Sequence, residues 1–211
     1  MSDDTYHNTR FQSDPRRRVL WQTLVASVFQ KHISPDGVVL ELGAGYGDFI
    51  NSVKARRRIA VDRWAGMKEH LDSGVEGLIT SVTELNGVAD HSVDYAFASN
   101  CFEHLTREEL LQCLDQLQRK LKPGARLTLV QPNYRYCYRE YFDDYTHVSI
   151  HTDRSLCDLL AANGFRVESC QPRFLPLTIK SNAPVRPWLI RLYLASPFKP
   201  LGKQMMITAT R

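Results

Sequence analysis

The stretch that decides the fold is Val38–Asp48, VVLELGAGYGD. An apolar strand ends in an acid, and Gly43, Gly45 and Gly47 then alternate ahead of a helix. Glycine at such a turn lets the chain reverse tightly and lets backbone approach a ligand closely. A dinucleotide fingerprint would need a further glycine at position 48, where this chain carries Asp48. A negative charge there opposes a pyrophosphate at the helix N-terminus. Glu41 at the strand end suits a ligand bearing an ammonium group. Asp62, closing the second apolar run, can accept hydrogen bonds from the two hydroxyls of a ribose. The pattern therefore calls for an adenosine-type ligand rather than NAD or FAD.

Outward from this turn, strands and helices alternate. VVLEL (38–42), RIAVD (58–62), GLITS (77–81), VDYAFAS (93–99) and RLTLVQ (126–131) read as buried parallel strands, rich in branched and aromatic residues. Asp14-Pro15 predicts a helix start, and Leu20, Leu24, Val28 and Phe29 carry that helix to about His32. Thr106 and Glu109 form a capping-box pattern ahead of a leucine stripe at 110, 114, 117 and 121, with Lys122-Pro123-Gly124 as its stop. A helix over 153–162, a strand over 165–171, a short helix over 187–195 and a last strand over 204–210 follow. The expected fold is α/β, a doubly wound, mostly parallel seven-stranded sheet. The expected organisation is an N-terminal extension and helix over 1–35, its first twelve residues polar and frayed, and one domain over 36–211.

Composition agrees with a single globular unit. The chain has 211 residues, 43% hydrophobic and 24% charged, with a formal charge of +4. The start, MSDDTYHNTR, has no apolar stretch to act as a signal peptide, and no apolar run is long enough for a membrane helix, so the expected location is cytoplasmic. Five cysteines without a close CxxC pairing argue against a disulfide framework and a zinc ribbon. Arg56–Arg58 enter the second strand at its N-terminal end, opposite the edge where such sheets bind ligands. That placement disfavours a nucleic-acid partner.

Taken in order, ELGAGYG, Asp62, SVDYAFASNCFEHL (92–105), LKPGARLTLVQPN (121–133) and the final strand resemble the class I S-adenosylmethionine-dependent methyltransferases over roughly residues 36–170. DDYTHVSIHTDRSLCDLLAANGF, RFLPLTIKS and GKQ further resemble bacterial small-molecule and glycan-associated enzymes of type 11. The resemblance implies a Rossmann-like methyltransferase fold with an antiparallel last strand. It also implies S-adenosyl-L-methionine as cofactor, held by Glu41, Gly43, Ala44, Gly45, Asp62, Arg63, Ser81, Val82 and Asn100. Ser81 departs from the family, which commonly has an acid there for the adenine amine; backbone groups or Glu84 then take that part.

The connection 132–152 carries six aromatic residues in 21 and leaves the ligand-bearing edge of the sheet, so it is expected to act as a lid over the acceptor, together with the C-terminal segment 174–203. Tyr134, Tyr141, Tyr145 and His151 are the candidate acceptor contacts. His147 is the candidate general base and Asp144 its orienting partner, because imidazole titrates near neutrality. Glu103 and His104 match the family's acid-histidine pair after the fourth strand, although a histidine at a helix start is more often structural. Asp143, Asp144 and His147 lack a metal-binding spacing, and no metal is expected. The activity so implied is methyl transfer to a small-molecule or glycan acceptor at oxygen. The alternatives are a non-catalytic cofactor-binding protein of the same fold and a methyltransferase acting on RNA or protein. Trp188–Leu194, flanked by Arg186, Arg191 and Lys199, suits a peripheral membrane or subunit contact through 184–199.

Overall fold

The computed structural model describes residues 14–176 and 185–211. Seven strands, β1 (Val38–Leu42), β2 (Arg57–Asp62), β3 (Val75–Ile79), β4 (Val93–Ser99), β5 (Leu121–Pro132), β6 (Arg166–Pro176) and β7 (Gly202–Thr210), form one sheet in the order β3-β2-β1-β4-β5-β7-β6. Pairing is parallel from β3 through β5, and β7 runs antiparallel between β5 and β6. This is the doubly wound sheet with an antiparallel last strand that the sequence implied. β1 lies inside the sheet between β2 and β4, buried at all five positions, which is why its sequence reads as a nearly continuous apolar run rather than an alternation.

Both sheet faces are covered, and side chains along each strand alternate between two cores. One face packs Leu40, Leu42, Ala96 and Leu127 under Leu110, Leu114 and Leu117 of α3 (Arg107–Lys120) and Leu156 and Leu160 of α4 (Asp153–Ala162). The other packs Val39, Phe97 and Val130 under Trp21 and Leu24 of α1 (Pro15–Leu24), Phe49 of α2 (Asp48–Ser52) and Ile190 of α5 (Pro187–Ala195). The N-terminal helix thus shares the domain's core. Asp14 caps it, accepting from Arg16 N at 2.9 Å, and it continues through a widened π-helical turn at Val25–Phe29 and a 3₁₀ turn at Gln30–His32. The predicted capping box is formed, with Glu109 N donating to Thr106 Oγ1 and Thr106 N to Glu109 Oε2.

The structure moves several boundaries, extending β6 to Pro176 and starting β7 at Gly202. β3 spans Val75–Ile79 instead of 77–81, because pairing Arg58 with Val75 and Asp62 with Ile79 sets its register at a half-exposed sheet edge, where apolar patterning is weak. β5 starts at Leu121, directly after α3, and takes Pro123-Gly124 into an irregularity of the strand, so these residues do not serve as a helix stop outside the sheet. Residues 1–13 and 177–184, which include the expected frayed start and part of the acceptor-side segment, lie outside the described residues.

Phe97 is fully buried and stacks on Phe49 at a centroid distance of 3.8 Å, with Trp21 and Phe29 edge-on. Phe97→Ala is expected to lower stability by about 3–5 kcal/mol. A lower urea midpoint at unchanged slope checks it.

Candidate active site

The C-terminal ends of β1, β2, β4 and β5 gather at one edge, and two clusters of polar groups lie there. The first is the glycine turn. Gly43, Gly45 and Gly47 take φ values of +64°, +52° and +67°, a region that residues with a Cβ rarely enter. A Cβ on Gly43 would also meet Cys101 Sγ at 2.9 Å, so the turn lies directly against the loop after β4. Ala44 N donates to Val61 O, and Gly45 N donates to Asp62 Oδ2 at 2.7 Å. Asp62 also accepts from Trp64 N at 2.9 Å, so two backbone donors orient its carboxylate, and the lone pairs they leave can accept further bonds. Beside it, Tyr46, Trp64 and His70 form an aromatic cluster with centroids 4.7–5.6 Å apart.

Glu41 is 4% exposed and accepts from Ile50 N at 3.0 Å, which ties α2 to the end of β1. Burial holds its carboxyl well above the ordinary carboxylate range. Asp48, the residue that opposes a pyrophosphate, is paired with Arg17 at 2.8 Å. Arg63 is largely exposed, 4.0 Å from Glu109. Ser81 lies two residues beyond β3 and spends its hydroxyl within its own turn, against Thr83 Oγ1 and Thr83 N. Val82 is buried in the core below it. Asn100 has φ +49°, and its Oδ1 accepts from Gln204 Nε2 at 2.8 Å. Glycines that admit close backbone approach, a carboxylate at the end of β2 and a buried acid at the end of β1 are a donor set that fits an aminoacyl nucleoside such as S-adenosylmethionine.

The second cluster brings residues 103–104 and 144–147 together. Val148 N and Ser149 N both donate to Glu103 O, and Ser149 Oγ donates to Leu105 O. The connection is thereby laced onto the turn after β4, and the rings of His104 and His147 come to 5.0 Å. Tyr141 O accepts from His147 Nδ1, which must therefore carry its proton there. Thr146 gives its hydroxyl proton to Asp144 Oδ1 at 2.6 Å, so its oxygens, at 2.9 and 3.3 Å, accept from His104 Nδ1–H. These hydrogen bonds select the tautomer with the lone pair on Nε2 in both rings. Burial and the neighbouring His147 push the His104 pKa down to about 4. Burial raises Asp144, but the Thr146 hydroxyl and N–H outweigh it and hold the carboxyl below its usual range. Asp144 thus reaches His104 through Thr146, and its backbone carbonyl accepts from His147 N at 3.2 Å.

Glu103 is 1% exposed, and among the described residues neither carboxylate oxygen has a hydrogen-bond partner. Burial pushes its pKa up to about 8. The sequence showed the Glu103-His104 pair, but not that a loop forty residues later would set His147 beside it.

The expected acceptor contacts divide. Tyr145 is exposed and Tyr134 half-buried, edge-on to Tyr141. Tyr141 is fully buried with its hydroxyl on Ser149 O, and His151 is an interior residue whose Nε2 has no partner among the described residues. Both are interior side chains, as Glu103 is. On α5, Trp188, Arg191 and Leu192 point outward while Ile190 enters the core, and Lys199 closes the helix by donating to Tyr193 O and Leu194 O. No helix among the described residues is long and apolar enough to cross a membrane.

The sheet order and a glycine turn facing a carboxylate define an α/β protein with a nucleoside-compatible turn at the edge of β1 and β2. A family model described as a methyltransferase domain matches residues 13–170, and the chain belongs to this family, as an S-adenosylmethionine-dependent methyltransferase. Among solved structures it is similar to an S-adenosylmethionine-dependent methyltransferase from Archaeoglobus fulgidus (20% identity, 98% of each chain covered, TM-score 0.69). A second, from Aquifex aeolicus, is 16% identical, with 100% of this chain and 98% of that chain covered and a TM-score of 0.65. A third is geranyl diphosphate C-methyltransferase from Streptomyces coelicolor, in complex with Mg2+, geranyl diphosphate and S-adenosyl-L-homocysteine (16% identity, 99% of this chain and 86% of that chain, TM-score 0.64). At these identities the likeness is one of fold. No curated protein matches the chain.

Gly43→Ala should destabilise the protein by about 1–3 kcal/mol, through the positive φ and the contact with Cys101. A drop in thermal midpoint measures it, and an unchanged midpoint contradicts the close packing of the turn.

Proposed function

We propose that the protein methylates an oxygen of a small-molecule or glycan acceptor, and that the Glu103, His104 and His147 cluster activates that oxygen. The observation that carries this reading is the assembly of two imidazoles and, among the described residues, an unpartnered buried carboxyl at the same sheet edge as the glycine turn. Glu41, Gly43, Ala44, Gly45 and Asp62 hold the cofactor, with Arg63, Ser81, Val82 and Asn100 around it. Bound there, S-adenosylmethionine supplies an electrophilic methyl group. The protein's own work is to align the acceptor, exclude water and accept the hydroxyl proton. His147 takes that proton at Nε2, the nitrogen that its bond to Tyr141 O leaves unprotonated, and Asp144 positions His104 through Thr146.

The connection 132–152 covers the acceptor, with Tyr134 and Tyr145 offering flat apolar faces with polar tips. Its hydrogen bonds to Glu103 O and Leu105 O support a lid whose closure completes the cluster. Trp188 and Leu192 beside Arg191 support a peripheral contact through 184–199.

Asp62→Ala should weaken S-adenosylmethionine binding by about 1–3 kcal/mol, as loss of a charged acceptor does. Calorimetry on the folded variant reads it, and unchanged affinity removes Asp62 from the cofactor site. His147→Ala should keep cofactor affinity while lowering turnover about a hundredfold to ten-thousandfold. Transfer of labelled methyl into the low-molecular-mass fraction of a cell extract follows turnover. Label that enters only macromolecules would refute the acceptor class.

A further inference from the structure

We propose that Glu103, His104 and His147 form a binding site for one divalent transition-metal ion, which takes the acceptor oxygen as a further ligand. The inference rests on the acceptor-side reading of this cluster and names the chemistry that the cluster offers. One donor atom from each of the three side chains lies within 4.8 Å of the others. A tetrahedral ion with bonds of about 2.1 Å holds its ligands roughly 3.4 Å apart, so shortening the separations by about 1.4 Å at most assembles the site. Two imidazoles and a carboxylate select zinc or its neighbours, manganese to cobalt, over magnesium or calcium, which favour all-oxygen sets. Three protein ligands with an open coordination position characterise a catalytic metal site rather than a structural one.

Two independent features support this. Glu103 is almost wholly buried, yet neither oxygen is hydrogen-bonded. A buried polar group of this kind costs free energy whether it is charged or neutral, and a cation between the rings removes that cost. The second feature is the outer support of the two histidines. His147 donates Nδ1–H to a backbone carbonyl, and His104 donates into Thr146, which is itself bonded to Asp144. Histidine ligands are ordinarily oriented in this way, with the second ring nitrogen on a carbonyl or carboxylate network. The carboxylate belongs to Glu103. The acidic pair next to His147 in sequence serves otherwise, Asp144 holding Thr146 while Asp143 faces solvent.

A bound cation would act as a Lewis acid on an acceptor hydroxyl, making its proton easier to remove. The reaction balances without a redox step. With a cation bound, His147 Nε2 would be a ligand and would no longer take the proton: the C–S bond of the sulfonium breaks, an O–CH3 bond forms, and the hydroxyl proton leaves to solvent.

The test uses the full chain, free of any histidine tag and dialysed against a chelator. It is titrated with Co(II) followed by visible absorption, and with Zn(II) and Mn(II) followed by calorimetry. One ion per chain is expected, with the intense visible bands of low-coordinate cobalt. Glu103→Gln, which keeps the shape of the side chain, and His147→Ala should each weaken binding about tenfold or more. Asp143→Asn, exposed and outside the cluster, should leave it unchanged. Absence of binding up to millimolar metal overturns the proposal. So does unchanged affinity and spectrum in a folded His104→Ala/His147→Ala variant. Turnover separates this inference from the reading beneath it. If the chelated protein transfers methyl at the full rate while His147→Ala does not, the metal site is refuted and acceptor activation by the cluster stands. If turnover survives both treatments, the cluster has no part in activation, and metal assistance falls with it.

Discussion

The hydrogen bond from Gly45 N to Asp62 is the contact on which the ligand-bearing edge depends. It joins the ends of two neighbouring parallel strands, and it holds the glycine turn in a backbone conformation that residues with side chains avoid. From this contact the turn leads into α2, whose third backbone N–H is satisfied by Glu41 from beneath. The turn leans on Cys101, and so on the loop after β4. Parallel pairing from β3 through β5 places the ends of these strands at the same edge. A shift in one would disturb the cofactor turn and the acceptor cluster together.

Two kinds of buried carboxyl share that edge. Glu41 has a backbone partner and a structural duty, since it fastens α2 to β1. Glu103 has neither. An interior polar group without a partner is costly, and folds keep few of them. Its place beside two imidazoles whose tautomers are fixed from outside makes it the most chemically expressive residue of the site. The connection after β5 creates this arrangement by donating two backbone N–H groups to Glu103 O, so one loop brings the His147 ring beside Glu103 and His104.

Much of this was legible from residue order. Apolar runs marked β1, β2, β4 and β5 because a sheet covered on both faces buries most residues of its inner strands. The glycine alternation and Asp62 marked the cofactor end, because few residues tolerate that turn. Legibility failed where burial was partial. β3, half-exposed at the sheet edge, took its register from β2 rather than from its own pattern. The aromatic connection was equally opaque in detail, since a tyrosine that packs and a tyrosine that binds have the same composition. Tyr141 proved to be the former.

What the sequence by itself determined was the architecture and the cofactor turn, because both follow from local rules of periodicity, capping and backbone conformation that act within a few residues. Which side chains meet at the acceptor side was decided only by tertiary structure. Glu103, His104 and His147 are held together by hydrogen bonds between segments some forty residues apart, and no local rule carries information over that distance. Asp144, three residues before His147, reaches the His104 ring through Thr146, and Glu103 comes to the two rings from another loop. A chain position fixes neighbours along the backbone, whereas burial and pairing fix neighbours in space, and the chemistry of this edge depends on the latter.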